Sequence, residues 1–179
     1  MPVPFREVRS DASAGLAGFL RIIEEENGLG LRGALFVIDA FGEPVDFAFA
    51  RTNVPTPFLW RFGGATRNAT ARLAAALFHA CPKTPSLLLV LAAEIDPRVF
   101  TDDIVVEASM GRVESGFDTS NGLARSQDNE VEPVEVSWVG RTPAPGSIAR
   151  QTFDALAARD LLREPFDRAG AGLDEAFRG

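Results

Sequence analysis

The chain has 179 residues, of which 46% are hydrophobic and 24% are charged, a balance typical of a globular protein that buries a core. Its formal net charge of −7 disfavours a non-specific nucleic-acid binder, because such proteins need surplus cations to displace the counterions of phosphate groups. The single cysteine excludes an internal disulfide and a cysteine cluster for zinc, and the lack of a long apolar run predicts a cytoplasmic protein without a membrane partner.

The first predicted element is a helix over residues 13–26. Leu16, Phe19, Leu20 and Ile23 recur at helical spacing, which indicates one buried face. The pair Asn27-Gly28 follows at once and is typical of a helix end.

A β-hairpin is predicted over residues 33–51. Its first strand is apolar and β-rich, AFGE forms the turn, and the return strand alternates with a period of two. Asp39 stands where the first strand ends, a place at which an aspartate either accepts hydrogen bonds from a turn or holds a metal ion. We favour the turn.

The proline-rich segment 52–64 fits neither a helix nor a strand. It carries a run of large apolar side chains that either cover an edge of the core or form a protein-interaction surface, namely Phe58, Leu59, Trp60 and Phe62. The backbone N–H groups and guanidinium groups just before the next helix also predict a weak anion-binding site, made of Arg61, Gly63, Gly64 and Arg67.

The remaining elements follow in order. They are a helix over 65–80, a central strand over 86–93, weak strands over 104–109 and 111–117, a mobile loop over 118–133, a strand over 134–139, and helices over 147–162 and 165–177. We interpret the chain as one domain, 1–179, of the α/β (α+β) class. A mixed, mainly antiparallel sheet carries packed helices in the order α-β-β-α-β-(β-β)-β-α-α.

This element order is similar to that of roadblock and longin-type modules, which implies an adaptor or a dimerisation scaffold. No convergent set of polar residues accompanies it, and the chain has one histidine. The basic residues are arginines except for Lys83, a bias typical of a GC-rich bacterial genome. The main interpretation is therefore a non-enzymatic interaction module that needs no cofactor and binds a protein partner or itself.

The alternative is a Mg²⁺- or Mn²⁺-dependent phosphodiester hydrolase. Such an enzyme gathers acids from strand ends to hold cations about 4 Å apart. The strand-end acids of this chain are Asp39, Glu94, Asp96 and Asp103. Asp39 and Glu94 would be the metal ligands if their strands are parallel neighbours, a placement that resembles ribonuclease H-like nucleases, although the helix over 65–80 lacks the acid of that family. A small-ligand sensor with a pocket between sheet and helix is a further alternative.

Overall fold

The computed structural model describes residues 15–26, 28–56, 58, 60–61, 63–96, 105–110, 134–139 and 142–178, with only the backbone described for 105–110. Its elements are β1 (Ala17–Glu24), β2 (Gly30–Ile38), β3 (Pro44–Asn53), α1 (Gly64–Ala80), β4 (Leu87–Leu91), β5 (Val105–Met110), β6 (Val134–Val139), α2 (Ile148–Ala157) and α3 (Glu164–Ala176).

The described strands form one six-stranded sheet in the order β3-β2-β1-β4-β5-β6. β2 is antiparallel to β1 and to β3, whereas β4 is parallel to β1 and β5 is parallel to β4. The predicted α/β class with a mixed sheet is therefore confirmed. Because β1, β3, β4 and β5 share one direction, they end at the same edge of the sheet. We call it the carboxyl edge, and the opposite one the amino edge.

The prediction of a helix over 13–26 is wrong for the part that the structure describes, since residues 17–24 form β1 in the middle of the sheet. β1 pairs along its length with β2, from Ala17 opposite Ile38 to Glu24 opposite Leu31. A central strand covered on both faces has no polar alternation, and its continuous apolar run can imitate helical spacing.

Neighbouring residues of β1 contribute to two separate cores. Leu20 and Ile22 belong to the core that α1 covers, in which Leu73 and Leu77 of α1 are buried. On the other face, Phe19 meets Phe166 of α3 edge to face, with ring centroids 5.0 Å apart. The arrangement is three-layered, with α1 on one side of the sheet and α2 and α3 on the other.

The hairpin, the helix over 65–80, the later helices and the strands 86–93, 104–109 and 134–139 are confirmed to within a few residues at their ends, except that α2 stops at Ala157. The predicted strand over 111–117 and the predicted mobile loop over 118–133 lie outside the described residues. Within the described ranges, no helix has the length and apolarity to cross a membrane.

Candidate functional site at the carboxyl edge

Asp39 lies at the amino edge, where it closes the turn between β2 and β3. Its Oδ1 atom accepts hydrogen bonds from the backbone N–H groups of Phe41 at 2.8 Å and Glu43 at 3.0 Å. Its carbonyl oxygen accepts a third from Gly42, which adopts a positive φ of 88°. The geometry is that of an aspartate that shapes a turn through its own backbone.

Glu94 lies beyond the end of β4 at the carboxyl edge, in a half-buried ion pair with Arg21 of β1. The Nε atom of Arg21 donates to Oε1 at 2.8 Å and to Oε2 at 2.9 Å, and Nη2 lies 2.5 Å from Oε1. The backbone N–H of Ile22 also donates to Oε2, and Nη1 of Arg21 donates to the carbonyl oxygen of Phe166. The pair thus joins β1, the segment after β4, and α3.

The structure does not bring Asp39 and Glu94 together, because β1 separates β2 from β4 and runs opposite to β2. Asp39 follows Ile38, which pairs with Ala17, whereas Glu94 contacts Arg21 and Ile22. At about 3.3 Å per residue, the length of β1 between these positions is about 16 Å, far above the spacing within a shared metal site.

Of the other two acids predicted for a metal-dependent site, Asp96 and Asp103, the structure describes one. Asp96 stays at the carboxyl edge, where its Oδ2 lies 3.6 Å from Nη2 of Arg67. Asp103 lies outside the described residues.

A pocket of about 210 Å³ opens between the carboxyl ends of β1 and β4 and the first turns of α1. We call it the β1–β4 pocket. Its polar lining residues are Glu24, Glu94, Thr66 and Thr70. In open sheets with parallel strands, ligands bind outside the carboxyl ends of the strands, which is where this pocket lies.

The N-terminus of α1 carries no side-chain cap and no acid in its first turn. Gly63 takes the left-handed conformation there, with φ of 73°. First-turn N–H groups without helix partners, together with the helix dipole, make such an end attractive to anions. The predicted anion residues Arg61, Gly63, Gly64 and Arg67 surround this end of α1, and binding by them remains a prediction.

The two described aromatic residues of segment 52–64 are exposed. Phe58 has 82% of its surface accessible and Trp60 has 41%, so neither covers the core. Both lie in the connection from β3 to α1, which places them beside the carboxyl edge. Leu59 and Phe62 of the predicted interaction surface lie outside the described residues.

Reasoning from the sequence missed Arg21, Glu24, Thr66 and Thr70 as parts of this edge. The prediction of a helix over 13–26 left Arg21 and Glu24 without neighbours on adjacent strands. A signal for Arg21 was present, since an arginine inside the apolar run FLRII must find a compensating charge when that run is buried.

Cys81 lies at the amino edge and is buried. Its Sγ atom lies 3.3 Å from Oδ2 of Asp46 and 3.2 Å from the carbonyl oxygen of Lys83. Burial raises the pKa of the Cys81 thiol, and the Asp46 carboxylate raises it further, while the hydrogen bond to Lys83 opposes both effects. This thiol is therefore a weak nucleophile at neutral pH.

Comparisons with known proteins give a fold but no family. No protein-family model matches the sequence, and no curated protein does. The structure is similar to Endonuclease V from Streptomyces avermitilis, with a TM-score of 0.62 and 16% identity over 93% of this chain and 82% of that one. It is also similar to Endonuclease V from Bacillus subtilis, with a TM-score of 0.54 and 12% identity over 92% and 80% of the two chains. Identities this low show a shared fold alone.

These structures correct the predicted function. The adaptor interpretation is wrong, because the two similar solved structures named above are endonucleases. The expectation of no cofactor belonged to the adaptor and is wrong for the same reason. These structures do not test the expectation of a protein partner or self-association. The alternative, a hydrolase that uses Mg²⁺ or Mn²⁺, fits this fold better.

The inference from net charge against nucleic-acid binding is also wrong, because these similar folds are endonucleases. Net charge averages over the whole surface, whereas association depends on where cations lie. The carboxyl edge and the adjoining part of α1 carry four exposed arginines, namely Arg51, Arg61, Arg67 and Arg72.

The described carboxylates do not by themselves fit Mg²⁺ or Mn²⁺. No group of three His, Cys, Asp or Glu residues in the described part of the chain is placed to hold an ion. Both oxygens of Glu94 are engaged by Arg21, whose positive charge repels a cation. A metal ion at this edge would need ligands from beyond the described residues, and the predicted Asp103 is one of those.

Proposed function

We propose that this chain is a nucleic-acid-processing protein that takes a strand of nucleic acid across the carboxyl edge of its sheet. The β1–β4 pocket carries the proposal. It opens at the ends of two parallel strands beside an uncapped helix N-terminus, on a fold similar to that of two endonucleases.

The donors at this edge suit the phosphate backbone. Thr66 and Thr70 line the pocket with hydroxyl groups, and the first turn of α1 adds backbone N–H groups. Arg61 and Arg67 lie at the same helix end and are exposed. Arginine side chains, hydroxyl groups and helix N-termini are the groups that most often contact phosphate oxygens, and they fix the register of a protein on its nucleic acid.

The exposed rings suit the bases. Phe58 and Trp60 lie in the connection that leads into α1, so a strand held by its phosphates at this helix end would bring its bases near them. Stacking of a base on an aromatic ring tolerates any sequence, because every base has a π-face. Phosphate donors next to exposed rings therefore favour a single-stranded or locally opened segment.

Phosphodiester hydrolysis is the reaction that we propose for this edge. Glu94 is the carboxylate that the fold holds most firmly beside the pocket, because Arg21 and the N–H of Ile22 orient it. Because Arg21 and the N–H of Ile22 already engage both of its oxygens, Glu94 in that place orients an attacking water against a bound phosphate instead of taking its proton. A divalent cation, when bound, would neutralise the charge of the phosphate.

Some expectations from the sequence remain open beside this proposal. They are a cytoplasmic location, a single domain over 1–179, and the further alternative of a small-ligand sensor, for which the β1–β4 pocket is also the relevant cavity.

Two assays test the proposal. Fluorescence anisotropy with short labelled DNA and RNA strands in EDTA measures binding, and gel electrophoresis after incubation with Mg²⁺ or Mn²⁺ measures cleavage. We expect wild-type protein to bind a single strand more tightly than a duplex and to cleave it. Glu94→Gln should lower the cleavage rate about a hundredfold and leave binding nearly unchanged.

The matched control is Glu43→Gln, an exposed acid at the amino edge, which should cleave like wild type. Failure of the wild-type protein to bind any nucleic acid would refute the proposal. Binding without cleavage in the presence of either metal would refute the proposed hydrolysis and support a protein that only binds nucleic acid. Equal losses in Glu94→Gln and Glu43→Gln would show that the pocket is not the reactive site.

A further inference from the structure

A second polar depression lies at the carboxyl edge, at the end of β3. It is an open groove of about 530 Å³ lined by Arg51, Thr52, Asn53 and Arg72. We call it the β3 groove. It differs from the β1–β4 pocket in one respect that decides its chemistry. Among the residues that the structure describes, two guanidinium groups and no acid line the β3 groove, whereas Glu24 and Glu94 line the other.

An ion pair with Glu25 orients the side chain of Arg51. Its Nε atom lies 2.6 Å from Oε1 and its Nη2 atom donates to Oε2 at 2.9 Å. The Glu25 side chain is only 13% exposed, while that of Arg51 is 53% exposed. Glu25 occupies the edge of the guanidinium group formed by Nε and Nη2. No described residue accepts a hydrogen bond from Nη1. A planar fork fixed in this way loses little further entropy when an anion binds to it.

Arg72 supplies a second positive charge to the β3 groove. It is an exposed residue of α1, and no carboxylate among the described residues pairs with it. Arg67, five residues earlier in α1, does pair with a carboxylate, that of Asp96. Thr52 and Asn53 add a hydroxyl group and an amide to the same groove. Two guanidinium groups, a hydroxyl and an amide are donors of the kind that phosphate oxygens accept from.

We infer that the β3 groove binds a phosphate group of the nucleic-acid backbone and so anchors the strand whose scissile part lies at the β1–β4 pocket. The inference deepens the proposed function and rests on it. β2 lies between β3 and β1, so at about 4.8 Å between strands the ends of β3 and β1, which border the two sites, are about 10 Å apart. One strand along the edge can therefore occupy both.

The test compares Arg72→Ala with Lys83→Ala, which removes an exposed cation at the amino edge. Binding of a labelled single strand is measured by anisotropy over a series of salt concentrations. Loss of one charge-assisted phosphate contact should weaken binding by Arg72→Ala about tenfold. It should also reduce the slope of log K against log salt by about 0.7. Lys83→Ala should keep the wild-type affinity and slope. Arg72→Lys, which keeps the charge without the fork, should lie between.

A second probe separates this inference from the proposed function. Tripolyphosphate, followed by the shift in melting temperature, reports on phosphate binding without bases or sugars. If Arg72→Ala and Lys83→Ala bind nucleic acid equally well, the inference that the β3 groove binds a phosphate group is wrong, and the proposed function still stands. Arg72-dependent stabilisation by tripolyphosphate in a protein that binds no nucleic acid would support a phosphate site and overturn the proposed function. Binding of neither probe would overturn both.

Discussion

The two edges of the sheet use their polar residues in different ways. At the amino edge, Asp39 binds the backbone of its own turn, and the thiol of Cys81 is enclosed by Asp46 and the Lys83 carbonyl. At the carboxyl edge, polar side chains line two depressions, α1 begins without a cap, and aromatic rings are exposed. The difference indicates where to look for function, since a ligand reaches polar groups that line a depression more readily than groups enclosed within a turn.

The direction of the strands produces this difference. β1, β3 and β4 all end at the carboxyl edge, so the connection from β3 into α1 and the segment that follows β4 meet there. The amino edge receives the tight turn between β2 and β3 and the short connection from α1 to β4. Long connections carry side chains that the backbone does not need, whereas tight turns use theirs.

The largest expected effect tests whether the Arg21–Glu94 pair supports the carboxyl edge. Arg21→Ala would leave a carboxylate that is 15% exposed without its cation, and the Phe166 carbonyl without its donor. We expect a loss of about 3 kcal/mol in the free energy of unfolding, measured by urea denaturation.

Arg150→Ala provides the control, because its pair with Asp154 is an exposed i,i+4 pair whose loss should cost only about 0.5 kcal/mol. If both variants lose the same small amount, the pair at the edge is no more than a surface contact. The double variant Arg21→Met, Glu94→Leu should recover most of the stability, since it removes both charges together.

The next effect concerns the exposed rings. Trp60→Ala should weaken binding of a single strand about tenfold, because stacking of one base on an aromatic ring is worth about 1 to 3 kcal/mol. Phe41→Ala removes a ring that is 57% exposed at the amino edge and should leave binding unchanged. Anisotropy measures both variants. Equal affinities would show that exposure of an aromatic residue at the carboxyl edge has no special role.

The smallest effect is expected at Asp39. Asp39→Ala removes the acceptor of two backbone N–H groups in an exposed turn and should lower the free energy of unfolding by about 1 kcal/mol. Asp39→Asn keeps an acceptor oxygen and should lose less. Neither change should alter nucleic-acid binding or any response of the melting temperature to Mg²⁺ or Mn²⁺. A lost metal response in Asp39→Asn would move the metal site to the amino edge and reverse the comparison.

The local parts of the fold could be read from the sequence. The hairpin with its alternating return strand, α1 with its stripe of small residues, and the strand Val134–Val139 depend on neighbours within a few positions of one another. The turn at Asp39 belongs with them, because an aspartate ahead of a Gly-containing turn bonds to N–H groups two and four residues on.

The candidate site could not be read in this way, because its members are joined across the sheet. Arg21 and Glu94 are 73 positions apart, and Arg51 meets Glu25 across 26. A correct prediction of this site required β1 to be a strand and to lie between β2 and β4, and both facts depend on pairing with distant strands.

By itself the sequence determined the class of the fold, most element boundaries and the local task of Asp39, since short-range periodicity and turn chemistry decide these. The order of the strands, and with it the edge at which acids, arginines and aromatic rings meet, was decided by the tertiary structure. The physical reason is that a strand buried on both faces carries no pattern that names its neighbours. Its place follows from which distant strands complete its hydrogen bonds and which helices cover its two faces.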